Sequence, residues 1–174
     1  GSITFPVNYT STGVMPGTGT GNEFVLWGFG VRCPDVTPAS AYVFCELLVS
    51  GGASIQAKLQ FETDGSVTLR NTAGTTVLTI AAGAIVDNVT FYYFEVAVKT
   101  ANAGACQWWL DGVSQGTGSG DFLEITTAGA DGVRFTADAL ETLHIDDFYI
   151  ISDGAAQPTP YGPSQVFGYQ SGNL

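Results

Sequence analysis

Positive charge is what this sequence has least of. Five Lys and Arg stand against 16 Asp and Glu in 174 residues, a formal net charge of −11, and charged residues make up only 12% of the chain, about half the usual share. Arg32, Lys58, Arg70, Lys99 and Arg134 are scattered singly, whereas phosphate backbones and anionic membranes are gripped by clusters of Lys and Arg. Nucleic acid and membrane surfaces are therefore excluded as partners. No apolar run approaches the ~20 residues of a bilayer-crossing helix, and nothing at the start of the chain reads as a secretory leader. Histidine is as scarce: His144 stands alone, and Cys33, Cys45 and Cys106 show no metal-binding spacing, so no Cys/His metal centre is expected. Three reduced, buried thiols acting as small apolar side chains are expected, which suits assembly in a reducing cytoplasm; one disulfide is the alternative. No segment carries a convincing amphipathic-helix period, Ile80 to Asp87 offering one turn at most, and no internal repeat is evident.

What is abundant is strand. The chain is 45% hydrophobic with 23 glycines, too apolar for disorder, and its length suits one domain with a core of its own. Ile55, Ala57, Leu59 and Phe61 alternate with Gln56, Lys58, Gln60 and Glu62, which predicts a half-buried strand with a polar outer face. Thr63-Asp64-Gly65-Ser66 closes it as a hairpin, because glycine accepts positive φ. Val67–Arg70 returns, and Asn71 to Gly74 turns again into Thr75–Ile80, a three-strand meander. Phe24 to Val31 places Val25, Trp27, Phe29 and Val31 on one face, and Gly28 and Gly30 on the other, where something approaches closely. Ala41 to Val49 reads as a strand covered on both faces. Tyr92, Phe94, Val96 and Val98 oppose Tyr93, Glu95, Ala97 and Lys99, and Ala105–Leu110 pairs back to a turn at Asp111-Gly112. Short strands are expected near 122–126 and 132–136, then a longer one over 142–151. This is an all-β two-sheet sandwich. Residues 1–22 are expected to be loosely structured, 23–153 to form the sandwich, and 154–174 to be an arm whose Val166, Phe167 and Tyr169 dock on the domain or a neighbour.

Chemistry is hard to find. Gly17-Thr-Gly19-Thr-Gly21 lacks the strand before and helix after that a dinucleotide cradle needs. Glycan hydrolysis needs two carboxylates in one cleft, yet Glu46, Glu95 and Glu124 stand on different segments. His144 has no evident nucleophile to activate. The chain reads as non-enzymatic, with no cofactor. Asp146 and Asp147 are the best polar candidates. Alternation puts Asp147 with Leu143, Ile145, Tyr149 and Ile151 on the core face, where a carboxylate must be hydrogen-bonded. Pinning a loop through backbone N–H groups is the leading reading; Ca²⁺ held with Asp111 or Asp131 is the alternative. Among Tyr92, Tyr93, Trp108 and Trp109, alternation sends only one of each adjacent pair inward. One Trp is then exposed or loop-covered and, with Tyr93, is a ligand or interface candidate.

Taken in order, FVLWGFGVR (24–32), LQFETDGSVTLRN (59–71), FYYFEVAVKTANAGACQWWLDG (91–112), LHIDDFYIISDG (143–154) and YGPSQVFGY (161–169) resemble the concanavalin A-like, or laminin-G-like, jelly-roll proteins of tailed bacteriophages. The resemblance spans most of the chain, rests on the order and spacing of the pieces, and departs at the N terminus. It implies an all-β, two-sheet antiparallel jelly-roll sandwich. It further implies a non-enzymatic virion structural protein, head-decorating or tail-associated, on the particle exterior, with capsid or tail subunits or further copies of itself as partners. The fold is shared with lectins, so a glycan-binding module is the alternative, and a glycan hydrolase is a distant third.

Overall fold

The alternation in Phe24–Arg32 decides where the core lies. Val25, Trp27, Phe29 and Val31 all point to one side of this strand and are fully buried. The computed structural model describes residues 2–6, 24–33, 35–49, 54–86, 90–123, 130–137 and 143–152. Among these residues there are eleven strands and no helix: β1 (Ser2–Pro6), β2 (Phe24–Arg32), β3 (Tyr42–Val49), β4 (Ser54–Phe61), β5 (Val67–Arg70), β6 (Thr76–Ile80), β7 (Tyr92–Lys99), β8 (Gly104–Leu110), β9 (Val113–Gly120), β10 (Ala130–Thr136) and β11 (His144–Ser152). They form a six-stranded sheet in the order β1-β10-β3-β4-β5-β6 and a five-stranded sheet in the order β11-β2-β7-β8-β9, every pair antiparallel. This is the two-sheet jelly-roll sandwich read from the sequence.

The sheets bury one core between them. Phe29 stacks on Phe94 at 5.6 Å and meets Phe135 of the opposite sheet edge-on at 4.8 Å. Phe44 and Phe61 close the six-stranded side at 4.5 Å. Such a fully buried large apolar side chain contributes roughly 1.5–3 kcal/mol. Cys33, Cys45 and Cys106 are buried and unbridged. Burial pushes the Cys106 thiol up to about 11 and the Cys45 thiol higher still.

The meander β4-β5-β6 forms as expected, with Gly65 and Gly74 at φ +83° and +82° in its turns. Its outer face is less open than the alternation predicts. Gln56 is buried, and Glu62 binds Arg70 at 2.7 Å and accepts from Thr68. Although partial burial works against it, the hydrogen bonds from Thr68, Arg70 and Gln60 hold the Glu62 carboxyl below its ordinary value. Glu46, within the strand read as covered on both faces, is buried against Arg134.

Three expectations need correcting. Ser2–Pro6, assigned to the loose N-terminal segment, is strand β1 and pairs with β10. Phe122 and Leu123, placed in a short strand, are irregular; Phe122 is buried and tied to Ala101 by its N–H. Strand β9 was not anticipated at all, because VSQGTGSG has no apolar alternation. It forms because Asp111 and Gly112, at φ 49° and 75°, make the tight turn that the twist of antiparallel strands favours. Its glycines accept side chains from β6: a Cβ on Gly120 would lie 2.8 Å from Val77. Ile80 to Asp87 gives turns, not a helix, over its described part. Gly17 to Gly21, Glu124, the side chains of Asp131 and Ile151, and the C-terminal arm with Val166, Phe167 and Tyr169 lie outside the described residues.

Candidate functional site

Strand β2 turns Leu26, Gly28, Gly30 and Arg32 away from the core, and the two glycines leave a trough across the outer face of the five-stranded sheet. Gly28 lies in register between Tyr149 of β11 and Glu95 of β7. A Cβ there would stand 2.4 Å from the Tyr149 ring. The phenol therefore lies across β2, and its hydroxyl donates to Glu95 Oε1. Glu95 is fully buried. Beyond it in the same row is Trp109 of β8, which packs with Leu26, Ala97 and Tyr149. Tyr93 flanks Gly30. Burial first, then the negative charges of Glu95 and Asp147, hold its hydroxyl well above the ordinary tyrosine value.

The end of this face nearest Gly30 is open. Phe91 is 45% exposed, with its ring edge 3.6 Å from where a Gly30 Cβ would stand. The Arg32 guanidinium lies 5.5 Å from that ring's centre. His144, directly opposite Arg32, is exposed, as are Asp146 and Asp147. The result is a floor of buried Glu95 and Trp109 under partly buried Tyr149, beside a shelf of exposed Phe91, Asp146 and Asp147 with half-buried Arg32.

Several candidates land elsewhere than expected. From Asp146, opposite Gly30, to Tyr149, opposite Gly28, β11 takes three steps where β2 takes two. Asp147 absorbs the extra residue at φ 49°, and its N–H donates to Asp146 Oδ1 at 2.9 Å. This bulge reverses the alternation. Ile145, Phe148 and Ile150 pack on the core, while Asp147 is exposed and Tyr149 faces outward. Asp147 is thus not a buried, loop-pinning carboxylate. Asp111 caps the backbone instead of approaching Asp146: its Oδ1 accepts from the Tyr93 N–H at 2.7 Å. Among the described residues no three His, Cys, Asp or Glu side chains gather as a metal site would require. Neither Trp108 nor Trp109 is exposed; Trp108 lies in the core and Trp109 in the floor. Tyr92 packs against the core, and its hydroxyl accepts from the Val86 N–H.

No protein-family model and no curated protein sequence matches the chain. Solved structures do. The binding domain of botulinum neurotoxin serotype G superposes with a TM-score of 0.60 at 12% identity, over 98% of this chain and 40% of that one. The serotype D ligand-binding domain, solved with N-acetylneuraminic acid, gives 0.57 at 11%, over 86% and 36%. An endo-β-1,4-glucuronan lyase from the fungus Trichoderma reesei gives 0.59 at 10%, over 89% and 77%. The chain spans well under half the length of the toxin domains it matches. At these identities the likeness is one of fold.

The residues that sequence reasoning missed are Glu95, Tyr149, Phe91 and Arg32. Glu95 carries a signal, as the one carboxylate in the apolar run from Phe91 to Val98, set on the face away from the core. That Gly28 opposes it, and that Tyr149 fills the gap, depends on register between strands far apart in sequence.

Proposed function

We propose that this domain is a carbohydrate-binding module that holds its sugar on the shelf around Phe91. The observation that carries this reading is an exposed aromatic ring beside two exposed carboxylates, all set on a rigid, buried floor. A pyranose presents an apolar C–H face and a rim of hydroxyls. Phe91 offers the first a surface, and Asp146 and Asp147 accept hydrogen bonds from the second. The toxin domain solved with N-acetylneuraminic acid supports a sugar-binding use of this fold.

The module binds without cleaving. Tyr149 gives its hydrogen to Glu95, and Tyr93 is held protonated by burial and its acidic neighbours. These are the reverse of the conditions that turn a tyrosine into a general base. The likeness to the lyase makes turnover of an acidic polysaccharide the result that would overturn this part.

A glycan array with and without chelator tests the main reading. Reproducible binding is expected, unchanged by chelator and weakened about tenfold or more by Phe91→Ala, since stacking on an aromatic surface is worth about 1–3 kcal/mol. Absence of any bound glycan, or full binding by the variant, sinks it. The sequence resemblance to virion proteins supports a module displayed on a particle exterior, a role compatible with sugar binding. Electron microscopy of purified particles with a labelled antibody tests it.

A further inference from the structure

We infer that the sugar held on this shelf carries a carboxylate, and that Arg32 receives it. The inference rests on the carbohydrate reading and names its ligand class.

The chain has only five Lys and Arg, and two of them are ion-paired on their own sheet. Arg70 pairs with Glu62 and Arg134 with Glu46. Lys58 stands in register opposite Glu46, and Lys99 lies over the Phe24 ring. Arg32, Lys58 and Lys99 have no ion pair among the described residues, and of these three Arg32 is the guanidinium and the one on the shelf, in a protein with a net charge of −11. Its Nε is buried without a hydrogen-bond partner, and its guanidinium lies by the exposed Phe91 ring. The nearest carboxylate on the adjoining strand, Asp146, is turned to the N–H of Asp147 in its own bulge. A guanidinium retained without a counter-charge, half-buried beside an apolar surface, is a ready receiver for an incoming carboxylate, which it can bind through two parallel N–H···O bonds.

The same surroundings limit what the ligand can be. Asp146, two positions along β11 from His144 that faces Arg32, and Asp147 next to it would repel a second negative charge. One carboxylate at the shelf is favoured, and a chain of them crossing the surface is not. The ligand class is a sugar ring bearing a single carboxylate at the recognised position, as in a terminal sialic acid or the uronic acid end of a short oligosaccharide.

Matched probes read this directly. Titration calorimetry on the full chain compares sialyllactose with lactose, and cellobiouronic acid (a glucuronic acid β-1,4-linked to glucose, one carboxylate) with cellobiose. In at least one pair the acidic member is expected to bind about tenfold or more tightly, as a charge-assisted contact predicts. Arg32→Gln should bring that ratio close to one. Arg32→Lys, which keeps the charge but loses the paired donors, should give an intermediate ratio. Because the ratio is read within one variant, partial unfolding does not mimic the effect; if Arg32→Gln does not fold, the Lys variant decides. Equal binding of acidic and neutral members, or an unchanged ratio in the variants, overturns Arg32 and the carboxylate while leaving sugar binding intact. If no member of either pair binds and the array is also blank, the carbohydrate reading fails first.

Discussion

Gly28 is the residue on which the outer face turns. Any side chain there would meet the Tyr149 ring, the nearest atom standing 2.4 Å from an ideal Cβ. Gly28→Ala should therefore push the ring off β2 and break its hydrogen bond to the buried Glu95. Overpacking and the lost charge-assisted bond together predict a destabilisation of roughly 2–4 kcal/mol in urea denaturation. Tyr149→Phe keeps the packing and removes only the hydroxyl, so about 1.5–3 kcal/mol is expected from it. Equal stability of all three proteins would mean that the Tyr149–Glu95 contact contributes nothing. The alternation of Phe24–Arg32 made a close approach at Gly28 and Gly30 legible. Which residue makes it was not, because the partner lies more than a hundred positions downstream.

Among the elements, β11 shows how one extra residue defeats pattern reading. Strict alternation assigned Asp147 and Tyr149 to the core, but the bulge at Asp147 hands those places to Phe148 and Ile150. Deleting Asp147 should remove the bulge while leaving Ile145, Phe148 and Ile150 inward and Tyr149 outward, since each then falls in the correct phase. A folded protein with native near-ultraviolet circular dichroism is expected, its stability within about 1 kcal/mol of the parent. Deleting Phe148 instead should collapse the fold, because it removes a core side chain and puts the Asp147 carboxylate in its inward place. A destructive outcome for the Asp147 deletion would refute the bulge as drawn. Strand β9 fails for the opposite reason: its burial partners, Val77 and Leu78, belong to the other sheet, so its own sequence carries no apolar signal.

For the whole molecule, the core holds ionisable groups in their neutral forms. Cys106 is pushed to about 11, and Cys45 and Tyr93 are also raised, burial being the first cause in each. An unfolded chain releases its thiol protons near pH 8.5 and its phenol protons near 10, while the folded protein keeps them. Stability from these groups is therefore full below about pH 8.5 and is lost as pH rises toward the folded values, each group contributing up to about 1.4 kcal/mol per pH unit. Melting temperatures between pH 8 and 11 should fall steadily, and Cys106→Ala should flatten the earlier part of that fall. A level profile above pH 9 in the parent would show that the thiols are not held in the core as described.

From the sequence alone came the sheet-forming segments, the inward faces of β2, β4 and β7, and the meander. These follow from period-two burial and turn chemistry, both local properties of the chain. The tertiary structure alone decided which strands adjoin. Only adjacency sets Tyr149 over Gly28, buries Glu95 and both tryptophans, and leaves Arg32 beside Phe91 without an acid. Those contacts cross between strands distant in sequence, where a shift of one residue reverses every side chain, and no local pattern encodes that register.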